Sequence, residues 1–254
     1  MPPQSTLAQA PLVLPRPAAG LAAPAAGHPA LVWLLWTALT LLWDLGGLDL
    51  PVMRWLGDAQ GFALQHNWLL ENVLHNGVQK VSTGVYLVLW LIVWWPLGAL
   101  KTWSRRERLG VVLCITLALL ATSGLKQASQ TSCPSSLIEF GGNAHYVSHW
   151  AWGVRDGGGG HCFPGGHASS ALAFLALAFP FLARPDAHNQ QRGRWVLAAV
   201  LAGGLLLGVS QTLRGAHYPS HTLWTVLLCA AVSTGAWRLG QRWLPSPAQA
   251  KVQG

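Results

Sequence analysis

The chain has 254 residues, of which 52% are apolar and only 9% are Asp, Glu, Lys or Arg, against roughly 25% charged residues in an ordinary soluble domain. That ratio all but excludes a water-soluble protein, and 15 Trp suit a bilayer, whose two interfaces attract indole rings. A net charge of +8 would suggest nucleic acid in a soluble chain, so its meaning depends on where the basic residues fall.

In chain order, residues 1–29 are rich in Pro and Ala with a single Arg16 and read as a disordered tail. They lack the charged start and early cleavage pattern of a secretory signal, so no removal is expected. Runs free of Asp, Glu, Lys and Arg follow: Pro17–Trp43, apolar from about Pro29, then Val81–Leu100, Leu109–Leu125, Ala168–Ala183, Trp195–Leu213 and Gly215–Trp237. A span takes ~20 apolar residues, and in lipid every backbone group must pair within its own segment. The expected fold class is therefore all-α, a polytopic membrane protein with six transmembrane helices in one domain, residues 30–244, followed by a C-terminal tail at 245–254. Residues 51–80 mix Trp55, Leu56, Phe62, Leu64 and Leu69 with polar positions, which reads as an additional amphipathic helix lying at the interface.

Orientation follows from the loops. Arg16, Lys101, Arg105, Arg106, Arg108, Arg184, Arg192, Arg194, Arg238, Arg242 and Lys251 fall on one side, against Arg54, Lys80, Lys126, Arg155 and Arg214 on the other. The richer side is expected to be cytoplasmic. Both termini then lie inside, and the connections 44–80, 126–167 and 214–221 face outward. The excess positive charge becomes a topology signal, with attraction to anionic membrane lipids, and no nucleic-acid partner is expected.

Unusual residues gather on the outer side. Lys126 follows the third span, Phe163-Pro164-Gly165-Gly166-His167 opens the fourth, and Arg214-Gly-Ala-His217-Tyr-Pro219-Ser220-His221 joins the fifth to the sixth. Charged groups at the end of a span need water or partners, so a shared pocket is expected. Two cations, two to three imidazoles and a Gly-Gly turn at a helix start would together bind an anion, with phosphate the best fit. One imidazole can attack phosphorus while a second protonates the departing oxygen.

These residues resemble the type 2 phosphatidic acid phosphatase superfamily of lipid phosphate phosphatases and vanadium haloperoxidases. Its pattern is Lys, six residues, Arg-Pro; then Pro-Ser-Gly-His; then Ser-Arg, five residues, His, three residues, Asp. Here the first motif reads Lys126, six residues, Cys133-Pro134, and the second Pro164-Gly165-Gly166-His167. In the third, Gly215-Ala-His217-Tyr-Pro219-Ser220-His221 aligns with Gly-Val-His-Tyr-Pro-Ser-Asp, and the resemblance covers residues 80 to 238. It implies that His217 is a nucleophile forming a phosphohistidine and that His167 is the general acid for the leaving lipid alcohol. Lys126 and the backbone N–H groups of Gly165 and Gly166 would bind the phosphoryl oxygens, and the scheme needs neither metal nor cofactor.

Four positions depart from the pattern. Cys133 replaces the first-motif Arg, Gly165 the second-motif Ser, Gln211 the third-motif Arg and His221 the Asp. Arg214, three residues after Gln211, would restore the guanidinium, and His221 would accept the His217 N–H and fix its tautomer, with Glu139 or Asp156 assisting. Cys114 and Cys229 fall at mid-membrane depth, whereas Cys133 and Cys162 share the outer connection and are expected to form a disulfide. Outer His145, His149 and His161, with His221, lack the tight spacing of a zinc site, so no metal is assigned. The implied activity is hydrolysis of a lipid phosphate or diphosphate in the bacterial inner membrane, with the site facing the periplasm. Undecaprenyl diphosphate, phosphatidylglycerol phosphate, phosphatidic acid and lipid A phosphates all fit as substrates. A lipid phosphotransferase using the same intermediate, or a non-catalytic anion-binding membrane protein, is the alternative, and oligomeric state is open.

Overall fold

The computed structural model of the protein describes residues 29–243, so the expected terminal tails, with Arg16 and Lys251, lie outside the described residues. Among the described residues, eight α-helices follow in chain order: α1 (Pro29–Leu45), α2 (Asp49–Leu56), α3 (Val78–Trp94), α4 (Arg105–Ala128), α5 (Gly166–Leu172), α6 (Phe179–Leu182), α7 (Ala187–Leu213) and α8 (Pro219–Trp243). A 3-10 stretch, Ala173–Ala178, joins α5 to α6. Four helical stretches among the described residues are long and apolar enough to cross a membrane: Leu69–Thr102, Arg105–Ala128, Ala187–Leu213 and Pro219–Arg242. A fifth is added if α1 and α2, bent by 70°, count as one broken span. Gly166–Leu182, where a fourth span is expected, is a shorter apolar helix near the ~17-residue lower limit for spanning.

The expected single interfacial helix over residues 51–80 is instead broken into three pieces. After α2 the chain makes a two-residue hairpin, β1 (Gly57–Asp58) against β2 (Gly61–Phe62). Gly61 makes this turn at φ +105°, a conformation closed to most side chains. The side-chain oxygen of Asn67 then accepts the amides of Leu69 and Leu70 at 3.1 and 3.2 Å. That starts a π-helical turn, Leu69–Gly77, which runs directly into α3.

α4 begins at a capping box in which Ser104 and Glu107 satisfy each other's backbone amides, and α7 begins with the Asp186 carboxylate on the Asn189 amide at 3.0 Å. Val111, Ile115 and Ala118 of α4 bury against Leu172, Ala173 and Ala176 and against Val226 and Cys229 of α8. α7 also meets α8 closely at Gly208. A Cβ on Gly208 would stand 2.3 Å from Thr222 Cγ2, so only glycine allows the two helices to meet there. Since α4 rises from Arg105 to Lys126 and α8 runs from Pro219 to Arg242, the residues of the three motifs lie at one end of the bundle. Arg105–Arg108, Arg238 and Arg242 lie at the other.

A second core caps the motif end. Met53, Phe62, Leu137, Phe140, Ala144 and Tyr218 bury one another, joining α2, the hairpin and the long 129–165 connection to the residue after His217. Gly215 permits this closure: its φ is +68°, and a Cβ there would lie 2.1 Å from the Phe62 ring.

Candidate active site

The long connection doubles back so that the first and second motifs lie side by side. His161 N–H donates to Ser129 O at 2.8 Å and Cys162 N–H to Thr131 O at 2.9 Å, and a disulfide joins Cys133 to Cys162, with Cα atoms 5.1 Å apart. Lys126 sits in the last turn of α4, where a cation complements the helix dipole. Its stem lies along Gly166, where an added Cβ would meet Lys126 Cδ at 3.5 Å.

The two glycines part company. Gly165 N–H already donates to Thr225 Oγ1 at 2.9 Å and leans on His221 O at 3.3 Å, so this amide is committed to α8 rather than directed at the pocket. Gly166 opens α5. The helix's first backbone bond is Ser169 N–H to Gly165 O at 3.3 Å, which leaves the amides of Gly166, His167 and Ala168 as the unpaired donors of the helix start.

His217 is 4% exposed and lies on the loop between α7 and α8. Its backbone N–H reaches Gln211 O at 3.3 Å, and its ring Nδ1 stands 3.4 Å from Cys162 Sγ, leaving Nε2 without a hydrogen bond among the described residues. Burial first, and then the charges of Lys126 and His167, hold its pKa well below the ordinary 6.5, so at neutral pH the ring is an uncharged base. The His167 ring lies 6.4 Å away, centroid to centroid, tilted by 48°.

Arg214 and His221 reach partners other than those expected. Arg214 is the C-cap of α7, and its guanidinium turns toward the 61–77 segment, donating from Nε to Gln65 O at 2.9 Å and facing Glu71 at 3.5 Å. Its charge still acts on His167, as does that of Lys126. The Gln211 side chain is buried, and among the described residues its Oε1 has no partner. The His221 ring faces Cys162 O from Nδ1 at 3.0 Å, and among the described residues its buried Nε2 has no hydrogen-bond partner. Its centroid is 5.8 Å from that of His217, and among the described residues no hydrogen bond links the two. Glu139 pairs with Arg54 and Asp156 with Ser132 and Gly158, so neither carboxylate serves His217.

Two positions beside the site carry no signal in the sequence. His75, on the π-helical turn, stacks on His167 with centroids 3.7 Å apart and planes at 28°. Asp49, at the start of α2, accepts the Ser220 N–H at 3.0 Å and the Ser220 hydroxyl, capping α8 from 171 residues away. Asp49, Asp44 and His149 lie close enough to suggest a metal site. The two carboxylates, however, are already engaged by Trp43, Trp150, Trp224 and Ser220 donors, and Asp44 faces His149 at 3.3 Å. The cysteines of a second such grouping, Cys133, Cys162 and His217, are consumed by the disulfide.

A family model described as the PAP2 superfamily matches residues 108–245, more than half of the chain, from α4 through the last described helix. No curated protein and no solved structure matches the chain.

Proposed function

Because the chain belongs to the PAP2 superfamily, whose members are generally phosphatases, we propose that it is an integral membrane phosphatase acting on a lipid phosphate or diphosphate through a phosphohistidine. The observation that carries this reading is the buried, uncharged His217 with its ring centroid 6.4 Å from that of His167, next to the helix start along which the Lys126 stem lies. Nε2 of His217 attacks phosphorus, the bond to the lipid oxygen breaks, and that oxygen takes its proton from His167. Water then attacks the phosphohistidine and returns a proton to His167, and the His217–phosphorus bond breaks, releasing phosphate. Lys126, Arg214 and the free amides at the start of α5 balance the charge on the phosphoryl oxygens. Since Gly165 N–H is engaged by Thr225, the backbone contribution falls to Gly166 and its neighbours in α5. The scheme uses no metal.

We place the broken α1–α2 pair and the short 166–182 segment in the membrane with the four long helices, giving six spans. The basic end would face the cytoplasm and the motif end the periplasm of a bacterial inner membrane. The test is phosphate release by purified protein in detergent from undecaprenyl diphosphate, phosphatidylglycerol phosphate, phosphatidic acid and lipid A phosphates, with vanadate as inhibitor. His217→Ala is expected to abolish release, and undiminished activity would rule out His217 as nucleophile. The replaced Arg, Ser and Asp of the motifs favour a second reading, a non-catalytic anion binder, which predicts phosphate or vanadate binding with no release from any of the lipids.

A further inference from the structure

The proposed general acid is held in an unusual way. Among the described residues, no hydrogen bond orients the His167 ring, whereas His221 has the Cys162 carbonyl and His217 the Cys162 sulfur. What lies against the His167 ring is the face of His75, 3.7 Å away and within 28° of parallel. His75 is itself oriented, with Nδ1 2.9 Å from Asn76 Oδ1. The turn that carries it is tied to the catalytic loop through Gln65 and Glu71, both on Arg214. It lies outside the residues matched by the family model.

We propose that His75 is a positioning residue for His167: the face of its ring, rather than a hydrogen bond, fixes the orientation from which the acid delivers its proton. This rests on the assignment of His167 as general acid. An acid free to rotate about its side-chain bonds would spend much of its time aimed away from the leaving oxygen. Misplacement on the ångström scale costs on the order of 100-fold in rate.

The experiment compares full-length His75→Ala, His75→Phe and His75→Gln in detergent, with lipid phosphate as substrate. Phe keeps a flat ring without nitrogen; Gln keeps hydrogen-bonding capacity without a ring. Stacking predicts that Ala and Gln lower kcat about 10- to 100-fold with KM within about twofold of wild type, and that Phe restores kcat to within about threefold. A Phe variant as slow as Ala, a loss falling on KM, or an Ala variant with unchanged kcat would overturn the proposal. A second readout separates its failure from that of the hydrolase reading. In protein carrying isotope-labelled histidine, with the His167 ring assigned by its loss in His167→Gln, the ring resonance should move in His75→Ala and return toward its wild-type position in His75→Phe. If the wild type releases no phosphate from any lipid, the hydrolase reading fails and the resonance decides: an unmoved signal overturns the stacking claim and a shifted one supports it.

Discussion

Removing the Asp49 carboxylate should loosen the loop that carries His217 and the start of α8 together. Asp49 is 5% exposed and serves three donors: the Ser220 amide at 3.0 Å, the fully buried Ser220 hydroxyl, and Trp43 Nε1 at 2.9 Å. Asp49→Ala removes the acceptor of all three, two of them on the buried Ser220. Hydrogen bonds to a charged acceptor contribute about 1.5–3 kcal/mol each, and loss of a helix cap costs ~1 kcal/mol. Part of that is offset because the carboxylate no longer has to be desolvated, so a net loss of about 3–5 kcal/mol is expected. Asp49→Asn keeps an acceptor for the amide and should lose about 1–2 kcal/mol. At roughly 2–4 °C per kcal/mol for a chain of this size, Ala should lower the midpoint by about 6–20 °C and Asn by less than half of that. The assay is thermal unfolding followed by tryptophan fluorescence in detergent, alongside phosphate release at a temperature where the variant stays folded. If Asp49→Ala melts within about 2 °C of wild type and keeps its kcat, the cap neither stabilises α8 nor orders His217, and the reasoning fails.

Two further outcomes are expected. His217 is held below its ordinary pKa of 6.5, so as pH falls below 6.5 the unfolded chain takes up a proton there that the folded protein refuses. Stability from this group is therefore present at neutral pH and lost on acidification, with a slope of up to ~1.4 kcal/mol per pH unit. Unfolding midpoints between pH 7.5 and 5 should fall more steeply for wild type than for His217→Gln, and parallel curves would contradict the burial argument. Unreduced, denatured protein should expose the thiols of Cys114 and Cys229 alone. Titrating four thiols would show that Cys133 and Cys162 are not bonded.

The long helices were legible because membranes impose a simple rule: charge-free runs of sufficient length become helices, and α4 and α7 include whole runs while α8 includes most of one. The family was legible because Lys126, Gly166-His167 and His217 keep their order and spacing, although four of their companions are replaced. What escaped depends on contacts between distant residues. Asp49 reads as one more outer acid, and nothing local says that it caps Ser220. His75 belongs to no motif, and its place over His167 follows from how the 57–77 segment folds, which hydrophobic spacing alone misread as one helix. Gly165 keeps the right position in its motif, yet its amide is taken by a hydroxyl 60 residues away, Thr225. His221 stands one helical turn from His217, but its ring is claimed by the Cys162 carbonyl.

The π-helical turn at Leu69–Gly77 makes register, rather than residue identity alone, a condition of the site. A π turn holds one residue more than the α-helix that would close over the same height. Deleting a single residue from its exposed side, such as Asn72 or Val73, would let the turn relax into an α-helix and rotate everything before the deletion by about 100° relative to α3. His75 stays with α3, whereas Glu71 and Gln65 swing away from Arg214, the residue they hold. In this segment the count of residues is therefore itself functional information, and loss of one codon would do damage that many substitutions at the same positions would not.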